Sequence, residues 1–202
     1  MKIKNLNKIK DKYNIIYADP PWKYTDTLKL QGQGALNHYD TLTQEELFAL
    51  PINKIAQEDC VLFMWVTMPM LNEGLSLIKS WGFEYKTCAF AWEKLNPKAL
   101  TPFKGIGRWV MGNVEICLLA TKGKPYKWRK TGVFQLIRSI RREHSRKPDE
   151  ARDRIIDLMG NLPRIELFSR EEIWGWDNWG NEMNKFNQKE KQEKIAKYKN
   201  GK

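Results

Sequence analysis

The residues best suited to chemistry are four in a row, Asp19-Pro20-Pro21-Trp22, which directly follow the apolar run 14–18. The two prolines fix φ and lack backbone N–H groups, so the chain should leave the sheet there in a rigid turn. The Asp19 carboxylate and the free carbonyl of Pro20 can then face one ligand, with Trp22 as a flat stacking surface. Two acceptors beside an aromatic face suit an exocyclic amine on a planar base. The alternative is a plain proline turn with Trp22 in the core and Asp19 in solvent.

A second candidate is Glu115, a lone carboxylate inside the apolar run 114–121. An unpaired carboxylate is costly to bury, so Glu115 needs either a partner or a contact with substrate, and we favour substrate. His38 and His144 are the only histidines in the sequence. Neither has acidic or cysteine residues at metal-ligand spacing, so we expect no metal site.

Positive charge is concentrated in four segments of a chain whose formal net charge is +11. Five lysines fall in 1–12, five bases in 122–130, five in 138–147, and seven lysines in the tail from residue 185 onward. Such clusters suit a polyanion, nucleic acid ahead of an anionic membrane, although a merely solvated basic surface is the alternative. The candidates for phosphate contacts are Lys127, Arg129, Lys130 and Arg142, with Tyr126 and Trp128 interleaved.

The alternation of apolar runs and helical patterns along the chain predicts an α/β fold. Runs without clean polar alternation are typical of strands buried on both faces, and they occur at 14–18, 60–67, 85–92, 114–121, 134–140 and 164–168. Helical patterns lie at 44–50 behind a Thr41 or Thr43 cap, from Pro69 to Gly82, and from Asp149 to Gly160. We therefore expect a mostly parallel sheet with helices on both faces.

Two long segments without a regular pattern, 23–41 and 93–113, are candidates for functional loops. Ligands in open α/β sheets bind beyond the carboxyl ends of strands, and segment 23–41 starts at that edge. The expected domain covers residues 1–183. A lysine-rich tail at 184–202, helical or disordered, follows it.

Composition argues against several classes of protein. Aromatic residues make up 12% of the chain, including nine Trp, which does not suit disorder. No run approaches about eighteen apolar residues, and the N-terminal residues lack a signal-peptide core, so we expect neither a membrane span nor secretion. The three cysteines, Cys60, Cys88 and Cys117, are far apart within apolar runs and predict buried free thiols in a reducing cytoplasm.

Seven ordered segments resemble one family, the amino-methyltransferases that carry an Asp-Pro-Pro-Trp motif and include the catalytic subunit of the mRNA adenosine methyltransferase. The segments are ADPPW, HYDTLTQEEL, VLFMWVT, SWGFEYKT, HSRKPDE, IELFSR and GWDNWGNE. HSRKPDE, IELFSR and GWDNWGNE are most similar to the short bacterial and phage members. This chain departs from the mRNA enzyme at Gly180-Asn181-Glu182, where that enzyme has Gly-Asn-Gln, and at Glu171-Glu172-Ile173, where it has a Pro-His-Asn run.

The resemblance implies a Rossmann-like methyltransferase fold with permuted motif order, in which the catalytic motif precedes the cofactor strand. It implies methyl transfer from S-adenosyl-L-methionine to the N6 amine of adenine, with Asp19, Pro20, Pro21 and Trp22 as the catalytic residues. Tyr39 and Glu115 would lie near the acceptor pocket, and Lys147 would bind the cofactor carboxylate. The cofactor-binding positions are Asp19, Lys147, Glu166, Leu167, Phe168, Arg170, Asn181 and Glu182.

We expect DNA as the substrate, because the similarity is to the short branch of bacterial and phage proteins. The same chemistry on RNA adenosine, methylation of the cytosine amine, and a catalytically silent nucleic-acid-binding subunit are the alternatives. The intact Asp19-Pro20-Pro21-Trp22 motif and Lys147 argue against the silent subunit. A homodimer and a cytoplasmic location, in a bacterial or phage-infected cell, complete the expectation.

Overall fold

One sheet organises the computed structural model, which describes residues 6, 9–22, 42–107, 109–143 and 145–180. Its strands are β1 (Tyr13–Ala18), β2 (Ala56–Val66), β3 (Glu84–Leu95), β4 (Val114–Lys122), β5 (Leu136–Ile140), β6 (Arg164–Leu167) and β7 (Asp177–Trp179). They pair in the order β5-β3-β4-β2-β1-β6-β7. Strand β4 runs antiparallel to both of its neighbours, and the other pairs are parallel. Six of these strands therefore point in one direction, which confirms the mostly parallel sheet.

Among the described residues, four α-helices flank the sheet, namely α1 (Gln44–Phe48), α2 (Ile52–Ile55), α3 (Leu71–Ser80) and α4 (Glu150–Met159). Thr43 caps α1 through a reciprocal pair of hydrogen bonds with Glu46, which decides between the two predicted caps. Helix α4 ends at Gly160, whose φ of 82° favours glycine. In the described part of the chain, we find no helix with the length and apolar character that a bilayer crossing requires.

Both faces of the central strands are covered, as their apolar sequences predict. In β2, Leu62 and Met64 pack on the side of α1, α2 and α3, whereas Phe63 and Trp65 pack on the side of α4. Alternate residues of one strand thus enter two different cores, so polar positions in these strands are rare. The predicted α/β architecture with helices on both faces is confirmed.

The structure differs from the predicted elements in a few places, each with a local cause. Strand β7 escaped prediction because it is three residues long and begins with two polar residues. Phe168 leaves β6 because its φ of 60° is left-handed. Phe134 lies outside β5 and is 80% exposed. Asp149 precedes α4 as predicted but makes no side-chain capping bond.

Candidate active site

The direction of the strands brings several predicted site residues to one edge of the sheet. Six strands end at this edge and β4 begins there, so Asp19 after β1 and Glu115 near the start of β4 come close together. Lys147 reaches the same place from the segment between β5 and α4. We call this edge the carboxyl edge, and it is where ligands bind in open α/β sheets.

Asp19 and Lys147 form a close ion pair at the centre of this edge. The Nζ of Lys147 donates to both carboxylate oxygens of Asp19 at 2.7 Å. The side chain of Lys147 is 8% exposed and that of Asp19 is 22% exposed, so the pair is shielded but open on the carboxylate side. Burial by itself would lower the pKa of Lys147, but the carboxylates of Asp19 and Glu115 raise it above its usual value.

Glu115 has cationic partners within the fold. Its carboxylate pairs with Lys94 through Oε1 and lies 3.3 Å from the Nζ of Lys147 through Oε2. Burial alone would raise the pKa of Glu115, but the charges of Lys147 and Lys94 lower it to about 2. The predicted need for a partner is thus met by these two lysines, and a substrate contact by Glu115 stays a prediction.

The Asp-Pro-Pro-Trp turn is rigid, but its last residue faces a different way from the sequence interpretation. The Pro20 carbonyl accepts a hydrogen bond from the Trp22 amide at 2.9 Å, so only its second lone pair can serve a ligand. Trp22 is 5% exposed and packs in the core on the side of α1. The flat face that we expected for stacking is therefore buried, because the turn directs the indole inward.

A second group of ion pairs, which is buried, connects α4 to β6. Arg152 of α4 donates to Glu166 through Nε at 2.7 Å and through a terminal nitrogen at 2.9 Å. Arg152 also lies 3.4 Å from Glu171, and Arg146 donates to Glu171 at 2.8 Å. Burial raises the pKa of Glu166 although Arg152 opposes that shift. Because Glu166 is paired in this way, its predicted cofactor contact stays a prediction.

Other predicted cofactor residues line the end of β6. Leu167 is buried, and Phe168 packs edge-on against Trp179 with ring centroids 5.3 Å apart. Arg170 comes close enough that its charge opposes protonation of Lys147. Gly180 is required here, because a Cβ would overlap the backbone oxygen of Ser169.

The predicted phosphate contacts fall at two separate places. Arg142 lies at the carboxyl edge, where it donates to both oxygens of Asp149 at 2.6 and 2.8 Å and to the Lys147 carbonyl at 2.9 Å. Strand β4 ends at the opposite edge of the sheet and is followed there by Lys127, Arg129 and Lys130. Lys127 pairs at 2.8 Å with Asp59, which precedes the buried residues 60–66 of β2. The structure therefore places these three residues at the opposite edge from Asp19.

Several predicted residues lie outside the described part of the chain, namely Tyr39, Asn181, Glu182, His38 and His144. Loop segment 23–41 and tail 184–202 lie outside it as well. The second predicted loop is shorter than expected, because β3 continues to Leu95. It joins β3 to β4 at the carboxyl edge and carries Trp109, which is 96% exposed.

A comparison with models of protein families shows to which family the chain belongs. The family model MT-A70 matches residues 13–182. The chain belongs to the MT-A70 family. This confirms the resemblance inferred from the seven motifs, and it identifies the sheet as that of a methyltransferase of the MT-A70 family.

Relatives of this MT-A70 protein differ in how much of their own length it covers. The Type II methyltransferase M.MunI of Mycoplasma sp is 39% identical over 191 residues, covering 85% of this chain and 78% of the relative. The human N(6)-adenosine-methyltransferase catalytic subunit METTL3 is 31% identical over 175 residues but only 28% of its length is covered. For the MT-A70-like N(6)-adenosine-methyltransferase of Arabidopsis thaliana the identity is 29% and the coverage 24% of its length.

Sequence reasoning did not assign four residues to the ion pairs of this candidate site, namely Lys94, Arg146, Arg152 and Glu171. A usable signal existed for two of them. Glu115 and Glu166 both interrupt apolar strands, so each demanded a cation from a neighbouring element. Lys94 in β3 and Arg152 in α4 supply those cations. Choosing them among the chain's many bases requires the strand pairing, which the sequence alone does not give.

Proposed function

We propose that this chain transfers a methyl group from S-adenosylmethionine to the exocyclic N6 amine of adenine in DNA. The observation that carries the proposal is the close pair of Asp19, the first residue of the Asp-Pro-Pro-Trp turn, and Lys147 at the carboxyl edge. The amino-acid part of S-adenosylmethionine carries one carboxylate and one ammonium group. One cation and one anion side by side fit such a group, since each can take the partner of opposite charge.

Lys147 would hold the cofactor carboxylate, and Asp19 would lie next to it with an oxygen for the cofactor ammonium or the acceptor amine. When bound, the cofactor supplies a methyl group on a positively charged sulfur, which is a strong electrophile. The chain's own task is then to align the amine and to strengthen it as a nucleophile.

Asp19 and the Pro20 carbonyl perform that task as hydrogen-bond acceptors. The lone pair of an aryl amine is shared with its ring, which makes the nitrogen a weak nucleophile. Hydrogen bonds that these acceptors receive from the two N–H groups of the amine favour tetrahedral geometry at its nitrogen. The lone pair of the nitrogen is then free to form the new bond. The nitrogen loses one proton in the reaction, and Asp19 is the acceptor within reach. Fixed acceptors in a shielded site stabilise the transition state without reorganisation.

We favour DNA over RNA because this chain is similar to a short Type II methyltransferase over most of that protein's length, but to the long adenosine methyltransferases over only part of theirs. The M.MunI match includes 78% of that protein, whereas the match to the human adenosine methyltransferase includes 28% of its length. The test uses pools of DNA and RNA oligonucleotides of one sequence set, single- and double-stranded, with tritium-labelled S-adenosylmethionine. We expect DNA adenines to be labelled faster than RNA adenines, and faster labelling of RNA would contradict the DNA assignment.

Lys147→Met is expected to weaken binding of S-adenosylhomocysteine about ten- to a hundredfold, because a charge-assisted hydrogen bond to a carboxylate is lost. Isothermal titration calorimetry measures this without nucleic acid. Lys130→Met, a lysine at the opposite edge, serves as the control and should bind as the wild type does. Tyr39→Ala should leave this affinity unchanged and raise the KM for the oligonucleotide. Wild-type affinity in Lys147→Met would remove Lys147 from the cofactor site.

Charge reversal of Lys127, Arg129 and Lys130 is expected to weaken binding of long DNA but not of short DNA. Lys127 contacts Asp59 of β2, and Met64 of β2 pairs with Ala18 next to Asp19, so the separation along the strand is about 20 Å. Only DNA longer than about six base pairs can reach both places. Each lost phosphate contact should lower the logarithmic salt slope for long DNA by about one. An unchanged slope would show that these bases are only a solvated surface.

We also propose a cytoplasmic location, because the described cysteines are free thiols. Cys60 and Cys117 are buried as predicted, whereas Cys88 is only half-buried. The predicted homodimer and the single domain over residues 1–183 remain predictions.

A further inference from the structure

The charged groups at the carboxyl edge form a chain of alternating sign that extends beyond the pair of Asp19 and Lys147. Lys94 contacts Glu115, Glu115 lies 3.3 Å from Lys147, and Lys147 contacts Asp19 at 2.7 Å. These contacts join β3, β4, the segment before α4 and the end of β1. Lys94 stands at the far end from the proposed reaction, and its side chain is 21% exposed.

The ammonium groups of Lys94 and Lys147 each lie over an indole ring. The Nζ of Lys94 lies 5.3 Å from the ring centroid of Trp92, and that of Lys147 lies 5.8 Å from Trp65. The two rings contact each other edge to face at 6.3 Å. Cations are attracted to aromatic faces, so these two rings restrict the positions that the ammonium groups of Lys94 and Lys147 can occupy.

We propose that Lys94 is a positioning residue, which holds the Glu115 carboxylate in place so that Lys147 keeps a fixed position beside Asp19. One Glu115 oxygen contacts Lys94 and the other faces Lys147, so the carboxylate is oriented by a cation on each side. Without Lys94, Glu115 would keep Lys147 as its one cation among the described contacts. Glu115 could then compete with Asp19 and with the cofactor carboxylate for that ammonium. The catalytic consequence rests on the proposed function, whereas the positioning itself does not.

The pKa of Glu115 reports the positioning directly. The charged groups that face it are Lys94 from β3 and Lys147 from the segment before α4. Carbon-13 NMR of the Glu115 carboxyl in the full chain should show a pKa that rises by about one to two units in Lys94→Met, since one charge-assisted hydrogen bond is lost. Lys94→Arg keeps the charge and should restore the wild-type pKa.

A double-mutant cycle tests whether Lys94 acts through Glu115. We expect Lys94→Met to weaken S-adenosylhomocysteine binding about tenfold and to raise the KM for S-adenosylmethionine equally. In a Glu115→Gln background the same change should have less than about a twofold further effect. Lys86→Met is the matched control, because Lys86 lies on the same strand, pairs with Glu84 and is 28% exposed.

Additive effects in the cycle, failure of Lys94→Arg to restore binding, or an equal effect of Lys86→Met would overturn the proposal. If Lys94→Met does not fold, Lys94→Gln replaces it in every comparison. A wild-type protein that neither binds S-adenosylhomocysteine nor methylates DNA would refute the proposed function. In that case the Glu115 titration still decides whether Lys94 positions the carboxylate.

Discussion

Replacing Asp19 with asparagine is expected to lower the rate of methyl transfer by about a hundredfold or more. The substitution keeps the size of the side chain but removes the charge that accepts the amine hydrogens and the departing proton. Lys147 keeps its contact with Glu115, so the fold and much of the affinity for S-adenosylhomocysteine should survive. Single-turnover kinetics with saturating DNA measure the rate, and calorimetry measures the affinity.

Asp11→Asn is the matched control for this experiment. Asp11 is an exposed carboxylate before β1, at the edge of the sheet opposite Asp19. We expect wild-type turnover from it. If Asp19→Asn kept more than about a tenth of the wild-type rate, the acceptor role of Asp19 would be refuted.

Arg152→Met is expected to lower the free energy of unfolding by about 3–5 kcal/mol, because removing one partner of a buried ion pair leaves an uncompensated charge. Glu166 would lose both hydrogen bonds from Arg152. Its already raised pKa should rise further, because the opposing charge of Arg152 is gone. A carboxyl whose pKa is raised on folding loses stability as the pH rises from its unfolded pKa, about 4.3, toward its folded pKa, so the deficit should be smallest at low pH and grow as the pH rises. Urea unfolding at several pH values measures it.

Two further variants serve as comparisons for Arg152→Met. The double variant Arg152→Met with Glu166→Gln removes both charges and should be less destabilised than the single variant. Arg138→Met breaks the ion pair between Arg138 of β5, whose side chain is 60% exposed, and Glu93 of β3. It should lose less than about 1 kcal/mol. A similar loss from Arg138→Met and Arg152→Met would mean that the buried network does not stabilise α4 against β6.

The central strands and the Asp19 turn could be predicted because their sequence signals are local. Strands buried on both faces need continuous apolar residues, and two prolines end β1 whatever surrounds them. Helix α1 was equally accessible, since Thr43 and Glu46 form a capping box within four residues. Strand β7 was not, because it is held by pairing with β6 rather than by its own composition.

The site was only partly predictable because its contacts join distant segments. Lys147 and Asp19 are 128 residues apart, and no local pattern states that they touch. The direction of β4 is also invisible in the sequence. It places Glu115 beside Asp19 but sends Lys127, Arg129 and Lys130 to the opposite edge. Trp22 was expected at the ligand, yet the same rigid turn carries its indole into the core.

Nucleoside analysis by mass spectrometry tests the central claim most directly. The purified chain and Asp19→Asn are incubated with S-adenosylmethionine and DNA, and the DNA is digested to nucleosides. We predict N6-methyldeoxyadenosine with the wild type and only a trace with Asp19→Asn. Methyl groups on cytosine alone, no methylated adenine at all, or equal yields from the two proteins would contradict adenine N6 methylation at Asp19.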